Sequence, residues 1–224
     1  MKTKNLFIAI LFFITGNCIA QTKGKQISSG KILFDISYPE SQLDEQTMAN
    51  LPMESYMYFK NDKVKIEVSM PMGKTTVLSD NKTGEGTMLM NMMGNKWAIK
   101  IDRDQMMKEK SLSGKPKIER TNESKVIAGY KCSKAVVTIN TKQGEKTFDV
   151  WFTDELKIKN SFSSQIEGID GFLMEYFNNQ NGISMKMTAK NVEAADIADS
   201  EFNVPDGYEV KTMDDLKNMR RGGK

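Results

Sequence analysis

The 224-residue chain contains no histidine. Without an imidazole there is no Ser-His-Asp or Cys-His machinery to take a proton near neutral pH. Cysteine is nearly as scarce, with Cys18 and Cys132 alone. One retained cysteine and no histidine do not make the usual tetrahedral zinc site. Excess charge of either sign is missing too, with 32 basic against 29 acidic residues. That balance offers no basic face for nucleic acid, so no nucleic-acid partner is expected. Apolar runs are short. The longest, Leu6 to Ile14, falls well below the ~20 residues that span a bilayer core, and the protein is not expected to span a membrane.

That run has a different meaning. "MKTKNLFIAILFFITGNCIAQ" places Lys2 and Lys4 before it and small residues after it, the layout of a secretory signal peptide over residues 1–20. Cys18 and Ala20 are the small residues before a cut between Ala20 and Gln21. A rival reading makes Cys18 the lipid-bearing first residue of an outer-membrane lipoprotein, although Asn17 stands where such sites carry a smaller residue. The mature chain, residues 21–224, is then expected in the periplasm or outside the cell. Losing Lys2 and Lys4 from the 32 leaves 30 basic against 29 acidic residues. With Cys18 removed, no internal disulfide can form.

Cys132 lies in "KVIAGYKCSKAVV". Strand alternation sends Lys131 to the opposite face and leaves Lys134 two residues along on the same one. Free cysteines are among the most buried residue types, so the thiol is expected to be a packed, unreactive side chain.

Alternation dominates the rest. "KILFDISYP" puts Ile32, Phe34, Ile36 and Tyr38 on one face, and "KVKIEVSMP" does so with Val64, Ile66, Val68 and Met70. This is the pattern of half-buried strands. It recurs in "GTMLMNMMG", "KWAIKID", "KTFDVWFTD", "FLMEYF" and "ISMKMTAK". Turn signals separate the runs: Asn61-Asp62, "DNKTGEG", "MGN", "KQGE" and "NNQNG". Such short links predict an antiparallel meander. Helical signals are few: residues 40–51, residues 102–110, and "TMDDLKNMRR", where Thr212 and Asp215 form a capping box. Residues 111–124 read as a linker or long loop within a single domain.

Seventeen methionines are the compositional excess. Met88, Met90 and Met92 share one strand face, and Met185 and Met187 another. Ordinary core, the lining of a cavity for apolar partners and a Cu(I) site of thioethers all accommodate them. The carboxylate pairs Asp102/Asp104, Asp154/Glu155 and Asp214/Asp215 sit at turns or helix starts, where Asp bonds the local backbone. No enzyme activity and no cofactor are expected. An outer-membrane barrel would share the alternation with faces reversed, but the short runs and the capped final helix oppose it.

"KVIAGYKCSKAVVTI", "FDVWFTDEL" and "DSEFNVPDGYEV" resemble a secreted family, domain of unknown function 4412. Through it they resemble the wider group around the periplasmic lipoprotein carrier LolA and receptor LolB. The resemblance rests on Ile127, Gly129, Tyr130, Cys132, Trp151, Phe202, Val204, Pro205, Gly207 and Tyr208. It implies a mainly β fold, an antiparallel, strongly curved half-barrel with a few short helices and an apolar concave face. In-phase positions expected on that face are Phe34, Ile36, Ile66, Val68, Met88, Met90, Trp97, Ile99, Met185 and Met187. They make a non-enzymatic binder of a lipid, an acyl chain or another apolar small molecule the leading expectation. A structural envelope protein that binds a protein partner is the alternative, and a methionine-rich Cu(I) binder the minor one.

Overall fold

The computed structural model describes residues 27–39, 41–101, 115–141, 144–156, 158, 166–180, 183–212 and 215. The expected signal peptide, the helix at 102–110 and most of the C-terminal helix lie outside them. Among the described residues no helix is long and apolar enough to cross a membrane.

Twelve strands form one sheet. The first meander comprises β1 (Ser29–Ser37), β2 (Glu54–Lys60), β3 (Lys63–Met70), β4 (Gly73–Asp80), β5 (Gly86–Met92) and β6 (Asn95–Ile101). The second comprises β7 (Lys117–Ile127), β8 (Tyr130–Thr141), β9 (Gly144–Thr153), β10 (Phe172–Gln180) and β11 (Ile183–Ala194). Antiparallel pairing of β1 with β11 fuses them. A short β12 (Glu209–Lys211) adds parallel to β6. The order β12-β6-β5-β4-β3-β2-β1-β11-β10-β9-β8-β7 leaves β12 and β7 as edges, so the sheet is open and curved as well as mainly antiparallel.

Curvature follows from which strands meet. A flat sheet would hold β7 and β11 four spacings apart, roughly 19 Å, yet the two are in contact. Residues on the curled side form the main core. Ile32, Phe34 and Ile36 of β1 join Met57, Phe59 and Val64 there, together with Cys132, Phe172, Met174, Met185 and Met187. The Phe34 ring stands edge-on to Tyr176, centroids 6.1 Å apart, and tilted to Phe172 at 6.5 Å.

Two sequence expectations need correction. Residues 117–124, expected within a loop, are the first part of β7. An edge strand lies open to water along most of its length, so polar residues fill it and periodicity fades; its charges also discourage edge-to-edge association. Ile118 is the exception, packed against the cluster of Ala135, Val137, Val150, Phe152 and Leu173. The helix expected over 40–51 shrinks to one turn, α1 (Glu45–Met48), capped by Asp44, whose carboxylate accepts from the Thr47 amide at 2.8 Å. The Thr212–Asp215 capping box forms in both directions. Asp215 accepts from the Thr212 amide at 2.7 Å, and the Asp215 amide donates to the Thr212 hydroxyl at 3.1 Å.

The segment after β11 straps the outer side of the first meander. Lys60 donates to the Ile197 carbonyl at 2.9 Å and lies near Asp196 and Asp199. Lys65 pairs with Glu201 and, at 3.1 Å, with Glu67. Burial alone would raise the Glu67 carboxyl, but Lys74 and Lys65 outweigh it and hold it below the usual carboxylate range. Tyr208 then closes over Leu78, Leu89 and Ala98. The strap thus accounts for one face of β3–β6 and leaves the other.

Candidate functional site

Directly opposed residues of an antiparallel ladder point to the same side of a sheet. One row runs Phe34, Ser55, Val68, Thr75, Met90, Trp97 across β1 to β6. The next row runs Ile32, Met57, Ile66, Val77, Met88, Ile99. On the other flank Ile36 opposes Met187, and Met185 follows two residues before it. All ten apolar positions singled out from the sequence therefore share one face.

Burial divides them. Phe34, Ile36, Met185 and Met187 are sealed in the main core, and Ile99 is also fully buried. Ile66, Val68, Met88, Met90 and Trp97 are only half-buried. Val77 and Thr75 of β4, which the sequence reading did not single out, complete the patch between β3 and β5 and are half-buried too. The signal for them was weak. "GKTTVLSD" has paired threonines at its centre, so both of its faces look alike until the register is known.

The patch is electrically quiet. Charges of β3 and β4 lie on the strap side, where Glu67 takes Lys74 at 2.7 Å and Lys65 at 3.1 Å. A broad apolar surface of half-buried thioether, aliphatic and indole groups offers dispersion contacts and release of ordered water.

Cys132 is fully buried, and its Sγ approaches the Tyr130 carbonyl at 3.4 Å. Burial pushes the thiol up to about 11. Lys134, the cation nearest in sequence on its face, is held by Glu123 and Asp149 at 3.0 Å each. The Ile127 backbone and Lys125, directly opposite on β7, favour the thiolate, but burial outweighs them.

A separate surface depression of about 370 Å³ is lined by Lys115, Pro116, Ile118, Arg120, Glu167 and Gly168. Its charges are committed internally: Lys115 pairs with Glu167 at 3.3 Å, and Arg120 donates to the Gly168 carbonyl at 3.3 Å. It lies on the second meander, away from the apolar rows.

The profile of a family described as "N-glycanase peptide, N-terminal domain" matches residues 57–218. This corrects the expectation drawn from the quoted segments: the matching family is not domain of unknown function 4412. Among solved structures, LprF from Mycobacterium bovis is similar at 13% identity over 82% of this chain and 90% of its own, with a TM-score of 0.36. No curated protein matches the chain.

Proposed function

The chain belongs to the family of N-glycanase peptide N-terminal domains, and from that premise we propose that it is a non-catalytic, secreted or periplasmic binding module. It takes an apolar ligand, a lipid or acyl chain, against β3–β6. The single observation that carries this is the half-buried patch of Ile66, Val68, Val77, Met88, Met90 and Trp97, spread over two adjacent rows on the face opposite the strap. An apolar patch of this breadth on a sheet whose other side is already packed is an interaction site by the ordinary economy of burial. Methionine suits it, because an unbranched, polarisable side chain adapts to varied apolar partners.

The non-catalytic part rests on chemistry. The chain has no histidine, the Cys132 thiol is pushed up to about 11, and the interior carboxylates Glu67 and Glu175 are each held by two lysines. The family description names a domain that accompanies an enzyme. That favours, as a second reading, a module of the cell envelope that binds a protein partner through the same face.

Trp97 supplies the test. The chain has two tryptophans, and Trp151 is buried in the core, so Trp151→Phe leaves Trp97 as sole reporter. Titration with a long-chain fatty acid should shift Trp97 emission to the blue and saturate. A spectrum unchanged at saturating acid, together with native mass spectrometry showing no co-purifying lipid, would refute the apolar-ligand reading and leave the partner-binding one.

A further inference from the structure

Four methionines gather where two hairpin tips meet at one end of this wing. Met70 and Gly73 close the tight turn between β3 and β4, and Met92 opposes Gly73 from β5. Met70 and Met92 therefore flank Gly73 in one row. No side chain fits between them, since a Cβ on Gly73 would fall 2.2 Å from the Asn91 carbonyl oxygen. One step further along, the Met93 amide donates to the Met72 carbonyl at 3.4 Å, which sets these two residues opposite each other. Both are strongly exposed, Met72 at 54% and Met93 at 79%.

Met93 has no structural reason to be methionine. It occupies the first position of a two-residue Met93-Gly94 turn at φ 51°, a left-handed conformation normally taken by Asn, Asp or Gly. There it is strained, and its apolar side chain lies in water. The tips carry no carboxylate between Ser69 and Lys74 or between Asn91 and Lys96. Their two lysines belong to the row Ser69, Lys74, Asn91, Lys96 on the opposite face. Lys74 is drawn to Glu67 there, and Lys96 stands 5.9 Å from the Tyr208 ring. What remains is a set of soft thioether donors without a hard oxygen anion among them.

We propose that Met70, Met72, Met92 and Met93 form a site for Cu(I). Thioethers select soft monovalent copper over the hard divalent ions that carboxylates attract. Three rotatable bonds per methionine let sulfurs from neighbouring strands turn toward one ion, and Gly73 places no side chain between Met70 and Met92. The register moves the site away from Met88 and Met90. Those two sit opposite Val77 and Ile99, and opposite Thr75 and Trp97, within the apolar rows.

The test is anaerobic competition for Cu(I) between the full mature protein and the chromophoric chelator bicinchoninate. The protein should withdraw one equivalent. Met72→Leu/Met93→Leu changes only exposed turn residues and keeps the surface apolar, so it should fold normally and weaken binding roughly tenfold or more. Adding Met70→Leu and Met92→Leu should abolish binding, while Met88→Leu/Met90→Leu should leave it unchanged. Failure of the wild-type protein to compete would overturn the proposal. So would undiminished binding by the folded double-tip variant, or loss of binding on Cys132→Ser instead.

Discussion

Lys125 Nζ lies 2.9 Å from Glu175 Oε1, although two strands separate β7 from β10 in the sheet. Lys186 of β11 reaches the same oxygen at 3.2 Å, and the Thr188 hydroxyl donates to the other at 3.3 Å. On its way Lys125 passes over the Trp151 ring at 4.3 Å. One carboxylate thus ties the edge strand back onto β10 and β11 and helps hold the curl.

Glu175→Gln would keep the shape and remove the charge that both lysines share. Glu175 is largely buried while the lysines are partly open to solvent, so the loss falls below that of a sealed ion pair, at about 2 kcal/mol. Thermal unfolding should drop by roughly 4–8 °C for a domain of this size. Amide exchange in β7 should quicken more than in β2 or β3. A uniform change across both meanders would show that the contact does not fasten the edge.

Cys132 gives a pH dependence with a definite sign. Its folded value is raised to about 11 from an ordinary 9.0. The unfolded thiol therefore ionises first, and between those values the unfolded state binds fewer protons. Its contribution to stability is complete below pH 9 and falls as pH rises toward 11. Cys132→Ala should flatten that part of the stability curve. An Ellman-type reagent at pH 8 should label the native protein slowly and the denatured protein at once; rapid native labelling would contradict the burial.

How much of this was legible from residues alone depends on the kind of strand. β1 buries one face, so Ile32, Phe34 and Ile36 announce themselves by parity. β7 has no buried face along most of its length, and its Lys117, Glu119 and Arg120 read as a linker. Strand parity also sufficed to place Phe34, Val68, Met90 and Trp97 on one side. It did not reveal that Phe34 would be sealed and Met90 left half-open. That division comes from the β1–β11 pairing, which joins residues as distant in sequence as Phe34 and Ala189 and leaves no local trace. Met72 and Met93 were invisible as a pair for the same reason, since only the β4–β5 register sets their tips side by side.

Met93→Asn should stabilise the fold. Asn tolerates the left-handed region at φ 51°, whereas a longer side chain there costs on the order of 1 kcal/mol. The exposed thioether contributes no packing to offset that cost. A gain of about 0.5–1 kcal/mol in denaturant unfolding is expected. A loss of stability would mean that Met93 makes contacts its 79% exposure does not suggest.

Met90→Glu separates an open apolar face from a closed core. Met90 lies between Thr75 and Trp97 and is half-buried, so water still reaches part of the position. A carboxylate there keeps some of its hydration, and the variant should fold with a penalty of about 1–2 kcal/mol. A fatty acid laid along Met88, Met90 and Trp97 would meet an unpaired charge in the middle of its apolar track, and affinity should fall roughly tenfold or more. In a sealed core the same substitution would strand a charge without partner or solvent, cost several kcal/mol and unfold the domain. Circular dichroism read beside the binding titration distinguishes the outcomes. A folded variant that binds fatty acid as well as the parent would remove Met90 from the site, and an unfolded one would show that β3–β6 close over this face.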